Sequence, residues 1–528
     1  MASGSLVSRV LGIVRNALLV ACVGSMGGTS DAFQTANTLP NTIFILLSGG
    51  VLSAVLIPEI TRAMARADGG KEIIDRLLTA AFGLVTVVAL IATIGAAPLI
   101  TLFQLRGASR DLGIFFAFIC LPQIFFYGVS AILGQVLNAY DRFAAVMWTP
   151  VLANLVQIAG MGLFLAQYLG AEPPERWTPP MVWLLAGTAT LGVAVQALGL
   201  LPAFTGTGFR FTPRWGWRGY GFRRPFKVAM WTITALLVGQ AGGVVVTMVA
   251  NAVAASARAG GLEVAGYMVY TLAFQIFMVP HGIITTSILT ALYPRMSRAA
   301  NAADTEALRA DVTQAITVPA LIMVPISLAA VALAAPGVKV LTPSLSPAGV
   351  ANLALAFALM AIGLFPYGLA ALQQRYSLAR GDGRMNFRFQ VVITAVQLAS
   401  CALALAVPPQ WAIAAICLGQ TVGNSVAALA FLWISQRQLG GLPLRHIGRL
   451  LLQLLLASVP AGLFAWFLVA WLAWLHDFSW SSSLLALGAG GAAFVAIFLV
   501  LAALLRIKEL DALWARLPLF SRWARSEG

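Results

Sequence analysis

The sequence predicts an all-α polytopic membrane protein, and three observations carry that reading. The 528 residues are 60% hydrophobic and only 10% charged, against roughly 45–50% and about 25% in soluble domains. Apolar runs of about 20 residues, long enough to span a bilayer as helices, recur from end to end. Positive charge sits in the short segments between those runs and alternates between rich and poor. Strands of a membrane barrel are shorter and alternate in polarity, so a barrel does not fit.

Fourteen spans follow in order: 5–25, 33–65, 76–104, 111–138, 145–169, 180–204, 226–253, 263–295, 311–335, 348–376, 388–407, 411–435, 447–475 and 482–506. The loops test that count. Those after the even-numbered spans carry the arginines: Arg62 and Arg66, then Arg142, then Arg210, Arg214, Arg218, Arg223 and Arg224. Arg295 and Arg298, Arg380 and Arg384, and Arg437 and Arg445 continue the series. The intervening loops are poor in positive charge. By the positive-inside rule, an even span count with both termini cytoplasmic is expected.

A weak internal repeat divides the chain. VLSAVLIPEITRAMARADGG (51–70) is similar to SILTALYPRMSRAANAADTE (287–306), with Pro58 on Pro294, Arg62 on Arg298 and Asp68 on Asp304. Each piece ends the second span of a six-span unit. The copies share one orientation, a parallel repeat of the kind that places substrate between halves in transporters. The expected organisation is an N-lobe at 1–205, a basic cytoplasmic linker at 206–225 and a C-lobe at 226–438. Two accessory helices at 439–507 and a basic cytoplasmic tail at 508–528 complete it.

Composition and motifs also exclude. The net charge of +15 is spread over loops rather than gathered on a folded domain, so no nucleic-acid partner is expected. Cys22, Cys120, Cys401 and Cys417 lie in apolar runs without a CxxC pair and read as small buried hydrophobes. No Walker loop, HExxH or GxSxG is present. Neither an enzyme, a catalytic residue, a resident cofactor nor a metal site is expected. The first run holds charge and lacks a clear small-residue cleavage site, so no cleavable signal is read.

Two arginines stand out. In SRVLGIVRN (8–16), Arg9 and Arg15 are separated by about 240° of helix rotation and about 9 Å of rise. Arg9 is near an end and can snorkel. Arg15 is near mid-span, where an arginine costs roughly 2.5–3.5 kcal/mol on insertion scales. It should face a watery cavity or a buried partner, and a guanidinium there suits an anionic ligand, phosphate in particular. Further polar groups fall at membrane depth: Asn37, Asn41, Gln123, Asn154, Gln157, Gln240, Asn251, Gln275 and His281 among them. Many of these join helices by hydrogen bonds. TLPN (38–41) and MVPHG (278–282) place prolines inside spans, which bends them.

SRVLGIVRN, SDAFQTANTLPNTIF (30–44), SGGVLSAVLIPEI (48–60) and VPHGIITTSILTALYPRMSR (279–298) together resemble the MurJ/MviN family, the lipid II flippases of the MOP exporter superfamily. The form of TLPNTIF and PHGII is most similar to actinobacterial members. The resemblance runs from about residue 5 to 506. It implies two six-helix lobes around a central cavity, with two further helices forming a lipid-facing groove. It also implies flipping of undecaprenyl-pyrophosphate-linked disaccharide pentapeptide by alternating access, without ATP, tied to membrane potential or ions. Lipid II, membrane lipids and cell-wall synthesis proteins are the partners implied.

Residue by residue, Arg9 and Arg15 fall on the family's first-span arginines and Asp31 on the acidic residue after them. Many Gram-negative members continue with an arginine pair where this chain has Phe44 and Ile45. Gln275 stands where an eighth-span arginine is common, Met278 near a usual glutamate, and Asn16 where a carboxylate often follows the second arginine. The substrate-binding set implied is therefore Arg15, with Arg9, Asp31, Asn41, Gln275 and His281. A flippase for another polyprenyl-linked glycan, or a scaffold for cell-wall enzymes, is the alternative.

Overall fold

The computed structural model describes residues 2–48, 71–168, 170, 172–207, 209, 211–216, 223–475 and 479–510. The first repeat piece (51–70), most of the basic linker and the tail beyond 510 lie outside the described residues. Every regular element described is helical. Among these residues eleven helical stretches are long and apolar enough to cross a membrane. The count is twelve if Pro347–Ala361 and Leu364–Ala379, bent by 49° at their junction, form one span.

The first two helices stand apart from that count. They are α1 (Ala2–Val23) and α2 (Gly28–Leu47). α2 is polar along its length, with Asp31, Gln34, Thr35, Asn37, Thr38, Asn41 and Thr42 between its apolar residues, and Pro40 lies inside it. A helix carrying so many hydrogen-bonding side chains at membrane depth satisfies them against neighbouring helices or a hydrated space rather than lipid.

The chain divides into two compact units. The first holds residues 1–272, 341–352 and 383–416. It contains α3 (Lys71–Ile94), α4 (Ala96–Leu102), α5 (Gly107–Cys120), α6 (Gln123–Ala139), α7 (Phe143–Gln167), α8 (Pro179–Leu198) and α9 (Arg223–Ala259). The start of α10 (Tyr267–Pro280) also belongs to it. Here α1 packs along α7, α2 along α5, and α7 along α8. Small residues permit the last contact: a Cβ on Gly160 would collide with the Thr188 side chain, and one on Gly192 would press on the Ala153 carbonyl. Without a hydrophobic drive between helices in lipid, such close backbone approach supplies the packing energy. Where the linker is described, it is tied to α3. Thr212 donates its backbone N–H to Asp75 at 3.2 Å, and Arg214 donates its N–H to Thr79 Oγ1 at 2.9 Å.

The second unit holds residues 273–340, 353–382 and 417–528. Its helices include α11 (Thr286–Asn301), α12 (Thr305–Ala332), α13 (Ala334–Leu341), the larger part of α14 (Pro347–Ala361) and α15 (Leu364–Ala379). α16 (Gly383–Ala406) belongs to the first unit, where it packs along α9, and α17 (Pro409–Gln438) runs from one unit into the other. The final pair, α18 (Leu444–Leu475) and α19 (Trp480–Leu504), pack on each other, and α18 lies along α12. Leu454, Ala457, Ala461, Ala465, Phe494 and Phe498 form the core of that arrangement. The starts of α12 and α19 are capped as their sequences require. Asp304 accepts from Ala307 N at 2.9 Å, and Ser479 and Ser482 form a capping box. The units differ in membership from the lobes drawn from sequence, since α9 and α16 pack within the first.

Candidate substrate-binding site

α1 brings Arg15 against α7, where neutral groups receive it. Arg15 Nη1 donates to Asn154 Oδ1 at 3.4 Å and Nη2 donates to Asn16 Oδ1 at 3.1 Å. Asn154 is itself fixed, because its amide donates to the Ser8 carbonyl at 3.0 Å and to Ser8 Oγ at 3.2 Å. The guanidinium is thus oriented by amide oxygens and keeps its full charge and most of its five donors. Tyr127 of α6 lies within electrostatic reach of it, and that ring stacks on Phe44 at 5.8 Å.

Phe44 stands on one stripe of α2 with Asn41 and Asn37, at i, i+4 and i+7 spacing. Gln123 Nε2 donates to Asn37 Oδ1 at 3.4 Å, while Asn41 is exposed. Asn41 therefore shares the face of α2 that looks toward α6, where Tyr127 lies within electrostatic reach of Arg15. Arg9, six residues earlier on α1, is half-buried.

Asp31 occupies a different place. Its carboxylate, in the first turn of α2, is fully buried. It accepts from Arg258 Nη1 at 3.0 Å and from the Met268 N–H at 3.1 Å, and the Tyr267 N–H also donates to it. One carboxylate so pairs with a cation in the last turn of α9 and supplies an acceptor for the first amides of α10, both favourable helix-end positions. Gly266 is required beside it, since any Cβ there would overlap the carboxylate.

On a neighbouring face of α2, a small cleft of about 100 Å³ opens between α2, α9 and α10. Thr35, Thr38 and Thr42 line it from α2, Gln240 and Thr247 from α9, and Tyr267 and Tyr270 from α10. Among the described residues, no arginine, lysine or carboxylate lines it. Tyr267 shares hydrogen bonds with Thr247 and Thr38, and Asn251 donates to Thr35 Oγ1 and to the Phe103 carbonyl, both at 3.0 Å. The sequence reading missed these threonines and tyrosines. The i, i+3, i+7 spacing of Thr35, Thr38 and Thr42 was the available signal.

His281 and Gln275 belong to the second unit. His281 opens a π-helical turn, His281–Thr285, directly after Pro280. It is buried with its ring edge-on to Tyr367 at 4.6 Å, and neither its Nδ1 nor Thr285 Oγ1 has a hydrogen-bond partner among the described residues. Gln275 lies two turns earlier on α10, half-buried.

A many-helix bundle that holds an arginine among neutral amides at membrane depth is the architecture of a multi-pass membrane protein. Comparison with known proteins makes the class particular. The family model described as lipid II flippase MurJ matches residues 22–485, and the chain belongs to that family. A relative from Vibrio cholerae, named probable lipid II flippase MurJ, is 26% identical, with 96% of each chain covered. One of the same name from Synechocystis is 27% identical over 84% of this chain and 82% of its own. Among solved structures, a lipid II flippase MurJ in an inward closed conformation superposes with a TM-score of 0.71 at 15% identity, covering 96% of this chain and 99% of its own. An inward-facing MATE multidrug transporter of the MOP superfamily gives 0.66 at 18% identity, covering 82% and 94%.

Proposed function

We propose that this chain translocates lipid II from the inner to the outer leaflet by alternating access, without ATP hydrolysis. Family membership supports the substrate, and the Arg15 arrangement is the observation that carries the chemistry. A guanidinium oriented by Asn154 and Asn16 offers paired donors to a pyrophosphate, and among the described residues no carboxylate pairs with it. Planar, bidentate recognition of phosphate oxygens is what arginine supplies and lysine does not. Asn41, exposed on the adjoining face of α2, adds neutral donors, and Arg9 extends positive charge along α1. Gln275 and His281 contribute from the C-terminal half.

Asp31 acts in this scheme through its pairing. Buried against Arg258 and the start of α10, it ties α2 to α9 and α10 in the present conformation, and outward opening breaks those bonds. The two repeat-related lobes, 1–205 and 226–438, rock about the site, while the prenyl tail stays in lipid beside the accessory helices at 439–507. Both termini lie in the cytoplasm, and cell-wall synthesis proteins are the partners to which such a protein would deliver substrate.

The test is complementation. A bacterium depleted of its own lipid II flippase receives this protein, its Arg15→Ala form or its Arg15→Lys form, and labelled lipid II reaching the outer leaflet is measured. The intact protein restores the signal. Arg15→Ala loses it at equal membrane abundance, and Arg15→Lys retains a small fraction. Full restoration by Arg15→Ala sinks the assignment of Arg15.

A further inference from the structure

We propose that residues 211–216 form a releasable strap over the first turns of α3, latched on Asp75, and that the strap opens in every transport cycle; its place in that cycle rests on the flippase reading above. Asp75 and Thr79 stand one turn apart on one face of α3. Thr212 donates both its N–H and its hydroxyl to the Asp75 carboxylate, and the Arg214 N–H donates to Thr79 Oγ1. Thr79 spends its own proton on the Asp75 carbonyl at 2.7 Å, so its hydroxyl is fixed as an acceptor for the strap. Two N–H groups two residues apart thus meet two acceptors one turn apart. Phe211 packs edge-on against Phe82 at 5.6 Å, and the tip of the Trp215 ring lies over Gly83.

Closing the strap carries two penalties that opening relieves. Asp75 is fully buried, and among the described residues no cation pairs with it. A carboxylate buried against neutral donors is less favoured than one paired with a cation or left in water. Arg76, whose guanidinium lies against Gly216, keeps its Nε buried with no hydrogen-bond partner among the described residues, and a buried donor left unpaired costs free energy as well. Arg76 and Arg214 also share one carboxylate, Glu72, so two like charges crowd one acceptor. What holds the strap down is slight. All six of its residues are exposed, Trp215 to 74%. A segment with so few buried apolar contacts opens far more readily than the helices beneath it.

The second unit contains the fixed counterpart of this latch. The register that aligns Pro58 with Pro294 and Asp68 with Asp304 also aligns Asp75 with Asp311 and Glu59 with Arg295. Asp311, on α12, is likewise buried, but it pairs with Arg295 of α11 at 2.7 Å. Position 59 carries the opposite charge, so the first half lacks that arginine and its aspartate takes the strap instead. Both halves bury an aspartate at one place. A cation on the preceding helix ties down the second, whereas the first is held by a surface segment between α8 and α9. Release of that segment returns Asp75 and Arg76 to water together and frees the first turns of α3.

Locking the strap tests this. The full chain carrying Thr79→Cys with Arg214→Cys, or Phe82→Cys with Phe211→Cys, is bridged by a short bis-methanethiosulfonate. Movement of fluorescent lipid II between the leaflets of proteoliposomes is then measured under an imposed membrane potential. Bridging should slow it about tenfold relative to the single-cysteine chains treated alike, and reductant should restore it. Bridged chains that work as fast as the singles overturn the opening step. Amide exchange in nanodiscs gives a reading that needs neither transport nor a cysteine pair. The Thr212 and Arg214 amides should exchange faster in wild type than the amides of α3, and about tenfold faster again in Asp75→Ala and Thr212→Val. Equal exchange in wild type and both variants overturns the latch. Wild-type exchange as slow as that of α3 overturns its release. If unbridged wild type moves no lipid II, the flippase reading fails and the strap's place in transport with it, while the exchange comparison still decides the latch.

Discussion

Asp31 and Arg15 are both ionisable residues in the first two helices, and their surroundings differ in kind. Among the described residues Arg15 meets neutral oxygen acceptors alone, so its charge is available. Asp31 is matched by an arginine and two backbone amides in a fully buried setting. Removing one partner of such a pair strands the other, at a cost of about 3–5 kcal/mol. Asp31→Ala is therefore expected to lower the melting temperature of the detergent-purified protein clearly. Asp31→Asn, which keeps an acceptor for the α10 amides, should lower it less. Arg258→Ala should resemble Asp31→Ala, and the double variant should be no worse than either single one. Fully additive losses would show that the two side chains do not act as a pair. Sequence reasoning marked both Asp31 and Arg15 but could not separate their roles. Their partners Arg258 and Asn154 are 227 and 139 residues away along the chain, and one sequence contains no register between such distant helices.

At the level of elements, apolar length was the legible signal. Among the described residues eleven or twelve helical stretches are long and apolar enough to cross a membrane, against the fourteen spans expected, and such runs leave the backbone no other way to satisfy its hydrogen bonds in lipid. Detail inside the helices was less legible. Pro280 announces a bend, but the wider π-helical turn at His281–Thr285 depends on how buried neighbours such as Tyr367 fill the space. The threonine-lined cleft left almost no trace, since threonine in an apolar run mostly bonds its own helix, as Thr42 and Thr247 do. The contact between α7 and α8 shows how strictly packing constrains these helices. Gly160 abuts Thr188 with no room for a methyl group. Gly160→Val should destabilise by at least the 1–3 kcal/mol typical of overpacking. Adding Thr188→Gly should recover much of that loss, read as melting temperature and membrane abundance. A Gly160→Val protein as stable as wild type would mean the helices separate at little cost.

The whole molecule carries its orientation in its loops. Exposed arginines cluster where the positive-inside rule places cytoplasm: Arg295, Arg298 and Arg309 flank the turn between α11 and α12, whereas Glu172, Glu175 and Arg176 lie between α7 and α8. Arg176 is further offset by an ion pair with Glu172 at 3.2 Å. The bias in Lys and Arg sets topology during insertion, so these two loops are expected on opposite sides of the membrane. Cysteine labelling can read this directly, because Cys22, Cys120, Cys401 and Cys417 are all buried and contribute little background. Asn301 and Glu175 are both exposed and accept substitution without loss of packing. In intact cells, a membrane-impermeant maleimide should label Glu175→Cys and spare Asn301→Cys until the membrane is permeabilised. The reverse pattern would place both termini outside the cytoplasm. Arg15 would then lie at the wrong depth to meet a pyrophosphate entering from the inner leaflet, and the direction of transport proposed above would fail along with the topology.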